Sequence, residues 1–326
     1  MRPHIAGQSK RRAGATDHSP WPIRAAIIGA IATLIATLGS LYFSGQAVRQ
    51  STEQARQAQV QLTSERISRS VEQLGSDSVA VRLGGVYSFA RLLRDAPGDH
   101  EAVVEILSAL VRVQAGETSH PQKQARKPVP ADILAALQVL SNQPLPRPET
   151  ELGPLPTMLL DGVDFSGFNL GDVELHEATL IHANLASADL TSANLAGAHL
   201  NDADMTHAIL QAANLRGASL LGADLSGATL GDSHLDGADL DGADLAGADL
   251  TFAYLHGATL FAAHLAGADL AGADLNGADL TGADLRNVNL RDTSLVGAIG
   301  LDSACSNQTT LWPDTISLPA RPRCSP

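Results

Sequence analysis

Ala238-Asp239-Leu240-Asp241-Gly242-Ala243-Asp244-Leu245 shows the unit from which most of this chain is built, A-(D/N)-L-x-x. From Leu160 to Leu295 every fifth position holds a large apolar residue, always Leu except at Phe165 and Met205. Two residues earlier stands Ala, repeat after repeat from Ala178 to Ala283, with Ser233 the lone exception. The first units carry Val163, Phe168 and Val173 in the Ala place. A period of five excludes both ordinary elements. On an α-helix five residues turn about 500°, so successive leucines step by about 140° and gather on no face. On a straight strand an odd period sends alternate leucines to opposite sides, and the frequent Gly two residues after the Leu weakens either element.

The pattern closes if the chain bends at every pentapeptide. Bends near 90° make a square coil of four units, which sets Leu185 over Phe165 and Met205 over Leu185. Stacked coils then pair as parallel strands about 4.8 Å apart, with Leu and Ala filling the interior. Residues 161–300 give about seven coils and a rod about 34 Å long.

Tandem A-D-L-x-x resembles the pentapeptide-repeat family. The resemblance implies an α+β chain whose main body is a right-handed quadrilateral β-helix, with the central Leu and the small residue two before it pointing inward. It implies no one function, because the family spans many roles.

The first 24 residues set Arg2, Lys10, Arg11, Arg12 and Arg24 against a single acid, Asp17. Ala25 to Phe43 then runs without a charge. As a helix it spans about 28 Å, close to the hydrocarbon thickness of a bilayer, with Trp21 on one flank and Tyr42 and Phe43 on the other. It reads as a single transmembrane helix. A cleaved signal peptide ending near Gly45-Gln46-Ala47 is the rival, opposed by the long polar lead and the length of the run. Gly29, Thr33 and Thr37, four apart, suggest a homodimer through close helix approach. Basic residues before the run outnumber Arg49 and Arg56 after it, which favours a cytoplasmic N-terminus and an external rod.

Beyond the run, 51–74 is polar and helix-forming, with a narrow stripe of Val60, Leu62, Ile67, Val71 and Leu74. Helical patterns follow at Ser78–Arg94 and Asp99–Gln114, parted by Ala96-Pro97-Gly98. The block Val71-Glu72-Gln73-Leu74-Gly75 through Val81-Arg82-Leu83-Gly84-Gly85-Val86-Tyr87 to Leu107 resembles a helical segment that precedes the repeats in membrane-linked bacterial members of the family. The chain thus divides into a basic tail (1–24), a transmembrane helix (25–43), a juxtamembrane helical region (51–114), a proline-rich linker (115–156) holding a short helix at 131–140, the rod (157–300) and a C-terminal tail (301–326). Lys123, Arg126 and Lys127 form a small basic cluster that reads as solvated linker. The two proline-rich joints set the helical part and the rod as distinct units. Leu311-Trp312-Pro313 opens a tail suited to covering the end of the stack.

The net charge of −13 is uneven. Residues 161–300 hold 20 acids against Arg216, Arg286 and Arg291. One reading is nucleic-acid mimicry, since the family includes proteins that protect or inhibit DNA gyrase. The other is that Asp simply suits the position before the central Leu, where it can bond to turn amides; 11 of the 20 acids stand there.

Catalysis finds no support: there is no phosphate loop, nucleophile elbow or HExxH pattern, and no cofactor is expected. The rod histidines His176, His182, His199, His207, His234, His256 and His264 include no pair 20 apart, so none stack as metal ligands. Asp224 with Asp244 and Asp249 with Asp269 do stack, as the consensus requires, and no metal site is assigned. Cys305 and Cys324 either pair, which suits an oxidising exterior, or stay as two thiols.

Departures from the consensus mark where a partner would bind. Thr251-Phe252-Ala253-Tyr254-Leu255 places two aromatics outward, Phe261 follows, and His234 lies beneath Tyr254. A contact patch and simple stacking along the rod both fit. The sequence reads as a membrane-anchored, non-enzymatic interaction or scaffold module that binds no nucleic acid directly and whose protein partner is unnamed. The alternative is a DNA-mimicking regulator of gyrase or another nucleic-acid enzyme.

Overall fold

The computed structural model describes residues 49–95, 100–118, 127–141 and 158–314. The charge-free run Ala25–Phe43, the Ala96-Pro97-Gly98 break and Cys324 lie outside them. Among the described residues no helix is long and apolar enough to cross a membrane. The chain forms two units, residues 1–62 and 63–326. In the first, residues 49–62 are helical and exposed throughout.

The second unit begins within helix α1 (residues 49–74) and continues through α2 (Val79–Asp95), α3 (His100–Thr118) and α4 (Ala131–Ser141). Their apolar faces meet in one core, with Val86, Phe89, Val103, Leu107, Ile133 and Leu137 almost fully buried. Gly85 sits where α2 crosses α1: a Cβ there would stand 2.8 Å from Leu74 Cδ2 and 3.0 Å from the Ser70 carbonyl oxygen. At Gly84 the nearest atom would be 4.0 Å away. Gly85→Ala therefore forces two helices apart and is expected to cost about 1–3 kcal/mol. Gly84→Ala, free of that clash, is expected to be neutral or to stabilise by about 0.5–1 kcal/mol through helix propensity. Urea unfolding of the two variants beside the parent checks the contrast.

A buried ion pair ties α2 to α4. Arg82 Nε donates to Asp132 Oδ2 at 2.5 Å, with the Asp132 side chain fully buried. Arg82 Nη1 also donates to the carbonyls of Ser76 and Asp77, at 2.9 and 3.1 Å, and so fixes the α1–α2 turn.

From Leu159 onward the chain winds in the 20-residue coils that the period demands. Parallel bridges join each residue before a central Leu to the one 20 further on, without a break from Leu159↔Thr179 to Asp279↔Ile299. The central residues and the Ala two before them are buried; Ala238, Leu240, Ala243 and Leu245 are each 0% exposed. Ser233 is buried in the Ala place, and its hydroxyl has no hydrogen-bond partner.

One pentad shows why the consensus reads as it does. Ala238 N–H closes the turn onto Leu235 C=O, Asp239 N–H pairs with the coil before, and Leu240 and Gly242 N–H pair with the coil after. That leaves the amide of Asp241, which donates to the Asp239 side chain at 3.1 Å. Asp or Asn before the Leu thus satisfies the one backbone donor that coil pairing leaves over. The position two after the Leu takes positive φ in every unit from 162 to 297. That is the third residue of a type II turn, where Gly is easiest.

The helical part and the rod are not separate, despite the proline-rich joints. Leu159 N–H donates to the buried Ser108 hydroxyl at 3.1 Å, and Arg112 donates to Leu159 C=O. Strand β1 (Lys127–Pro128), inside the stretch that reads as linker, pairs in parallel with β2 (Phe168–Asn169). Together α3 and β1 cover backbone edges of the first coil that would otherwise stay open.

At the far end the register slips. Asp284 pairs with Cys305 and Asn289 with Leu311, offsets of 21 and 22. Gly300, at φ 78, allows the first slip, since a Cβ there would lie 2.2 Å from Thr281 N. Leu311 thus extends the stack rather than plugging it, and Trp312 packs against the core. Cys305 is disulfide-bonded.

Candidate interaction surface

The residues before the central Leu point outward in four columns, one per face. The second face carries Asp204, Asp224 and Asp244 in unbroken register, with His264 and Asp284 beyond. Every one of the eleven Asp at this position accepts the amide two residues on, from Ser166 N–H on Asp164 to Arg286 N–H on Asp284. Most of the rod's charge is therefore a by-product of turn capping. Arg286 also donates through its side chain to Asp284, and this holds the Asp284 carboxyl below its ordinary range. Asp224–Asp244 and Asp249–Asp269 stack as the 20-residue register requires. Among the described residues no three of His, Cys, Asp and Glu gather closely enough to hold a metal ion.

The fourth face departs from the pattern midway. His234 and Tyr254 are bridge partners, and their rings stack at 4.6 Å and 11°. Tyr254 remains 44% exposed, so stacking and display coexist. Arg216 joins them unannounced: its Nε lies 2.9 Å from Asp236 Oδ2 and its Nη2 3.2 Å from His234 Nδ1. The signal for it was the 20-residue offset from Arg216 to Asp236. Phe252 is 62% exposed at the neighbouring edge, with φ 58, its ring lying beside Gly272. A bulky side chain rarely accepts that backbone.

Phe261 does not complete this patch. It follows Phe252 by two corners of a four-cornered coil and so stands at the diagonally opposite edge. The exposed aromatics thus divide between opposed sides of the rod rather than forming one group.

Residues 159–195, 183–222, 223–260 and 262–299 match the family model for pentapeptide repeats. No curated protein matches the chain. A pentapeptide repeat protein from Nostoc is 44% identical over 29% of this chain and 77% of its own, with a TM-score of 0.28. HetL, a pentapeptide repeat protein involved in heterocyst differentiation regulation in Nostoc, is 33% identical over 47% and 86%, with a TM-score of 0.19. QnrB1, a plasmid-mediated fluoroquinolone resistance protein, is 21% identical over 42% and 77%, with a TM-score of 0.36. Right-handed quadrilateral winding is the fold these repeats imply. With A-(D/N)-L-x-x in tandem and its Asp or Asn capping the amide that each turn leaves over, this chain belongs to the pentapeptide-repeat family.

Proposed function

We propose that the chain is a membrane-anchored, non-enzymatic interaction scaffold that displays its rod to a protein partner. The observation that carries this reading is the contrast between a rod whose Asp columns are spent on its own turns and the few exposed side chains, Phe252 and Tyr254 above all, that no turn requires. Exposed aromatics beside an Arg are the side chains that anchor protein interfaces. The anchor rests on Ala25–Phe43, which carries no charge.

Fractionation tests the anchor. In bacterial cells the full chain is expected to stay with membranes through an alkaline wash. Leu34→Arg with Leu38→Arg, each costing about 2.5–3.5 kcal/mol at the centre of a span, is expected to release it. A parent chain found in the supernatant would overturn the anchor. With an external rod, impermeant thiol reagent labels intact cells once an impermeant reductant has opened the Cys305 disulfide; labelling only after lysis places the rod inside. The acid density keeps a second reading, mimicry of duplex DNA toward gyrase. Inhibition or protection of gyrase supercoiling by the full chain would favour it, and no effect at high concentration would remove it.

A further inference from the structure

The coil register lines up residues that the sequence keeps far apart. At the edge between the first and second faces, the position just after the central Leu reads Asp161, Ile181, Asn201, Leu221, Asp241, Phe261 along the rod. Large apolar and polar residues alternate, coil by coil. Leu221 is 46% exposed, Phe261 is 51% exposed and Ile181 is half-buried. On the other three edges the equivalent positions hold no large apolar residue before Val296 at the far end.

Two of the polar members turn onto the backbone of the next coil. Asp161 Oδ1 accepts Ile181 N–H at 3.1 Å, and Asp241 Oδ1 accepts Phe261 N–H at 3.0 Å. Both carboxylates are drawn onto backbone because the usual capping places hold Thr179 and Thr259. Ile181, Leu221 and Phe261 form the apolar ridge of this edge. Acids flank it on both sides: Asp204, Asp224 and Asp244 on the second face, Asp239 and Asp279 on the first.

We infer that this edge docks a basic amphipathic helix of a partner protein, with apolar residues at every seventh position and Lys or Arg on either side of that stripe. The inference rests on the reading of the rod as an interaction surface. Two coils advance about 9.6 Å, and a helix brings back the same face every seven residues, about 10.5 Å. An extended strand repeats one face at about 6.8 Å and falls out of step. A helix about 10 Å across also reaches the carboxylates of both adjoining faces. Opposite charge on the flanks fixes its orientation over the ridge.

The test uses the full chain in detergent and a fluorescent synthetic peptide of about 21 residues, long enough for three heptads, with Leu at each seventh position and Lys flanking it. Anisotropy is read at physiological salt. Leu221→Asn with Phe261→Thr is expected to weaken binding about tenfold or more. These residue types already occupy the same column at Asn201 and Thr281, so the rod keeps its fold. Val296→Thr, at an exposed apolar residue on another edge, is expected to leave binding unchanged. No binding by the parent, equal binding by the ridge variant, or equal binding of a peptide interrupted by proline would each overturn the inference. Loss only in the Val296→Thr variant would also overturn it, while leaving the rod an interaction module with its site elsewhere.

Discussion

Leu225→Asp is expected to destabilise the rod by more than about 4 kcal/mol. Leu225 is 0% exposed, and its neighbours in the column, Leu185, Met205 and Leu245, are equally buried. No polar group in that column can pair with a carboxylate, so the side chain must stay protonated at a cost or open the stack. In a solenoid the damage spreads to the adjoining coils, because each coil draws its stability from the interfaces with its neighbours. Leu225→Met is the control. Met205 already fills the equivalent place one coil earlier, and a volume-conserving exchange is expected to cost less than about 1.5 kcal/mol. Urea unfolding followed by circular dichroism separates the two; a Leu225→Asp curve matching the parent would mean that the central Leu does not point inward.

Arg82→Ala is expected to cost about 3–5 kcal/mol in the helical part, because it strands a buried carboxylate at Asp132. The Asp132 side chain is fully buried, and its Oδ1 already lacks a partner. The Ser76 and Asp77 carbonyls lose their donor in the same step. Arg82→Met combined with Asp132→Leu removes both charges and is expected to recover most of that loss, since apolar replacements of a buried pair are often neutral or stabilising. Amide exchange in α2 and α4 reads the difference directly. Equal protection in Arg82→Ala and in the parent would show that the pair is not what joins these helices.

These two variants also mark where sequence reading succeeds and where it stops. The inward place of Leu225 follows from period alone, because a five-residue repeat has no way to bury its Leu except by bending at each unit. The helix limits were close for the same kind of reason: apolar spacing and the Pro130 boundary anticipate α4 within one residue. Nothing in the sequence pairs Arg82 with Asp132, 50 residues apart on elements without a shared period. Phe252, Tyr254 and Phe261 lie close in sequence and invite one patch, yet the corners of the coil send Phe261 to the opposite side.

The sequence by itself determined the rod: its coil length, its buried Leu and Ala, and the stacking of Asp224 on Asp244 or His234 beneath Tyr254. Each follows because one local rule, applied every five residues, repeats the same geometry. Only the tertiary structure decided how the rod is closed. The Ser108 hydroxyl and Arg112 meet Leu159, Lys127–Pro128 leaves its linker to pair with Phe168–Asn169, and the register slips at Gly300. The ends have no following or preceding repeat to pair with, so their exposed backbone takes whatever donor, acceptor or strand the non-repeating chain brings to it, and such long-range contacts leave no period to read.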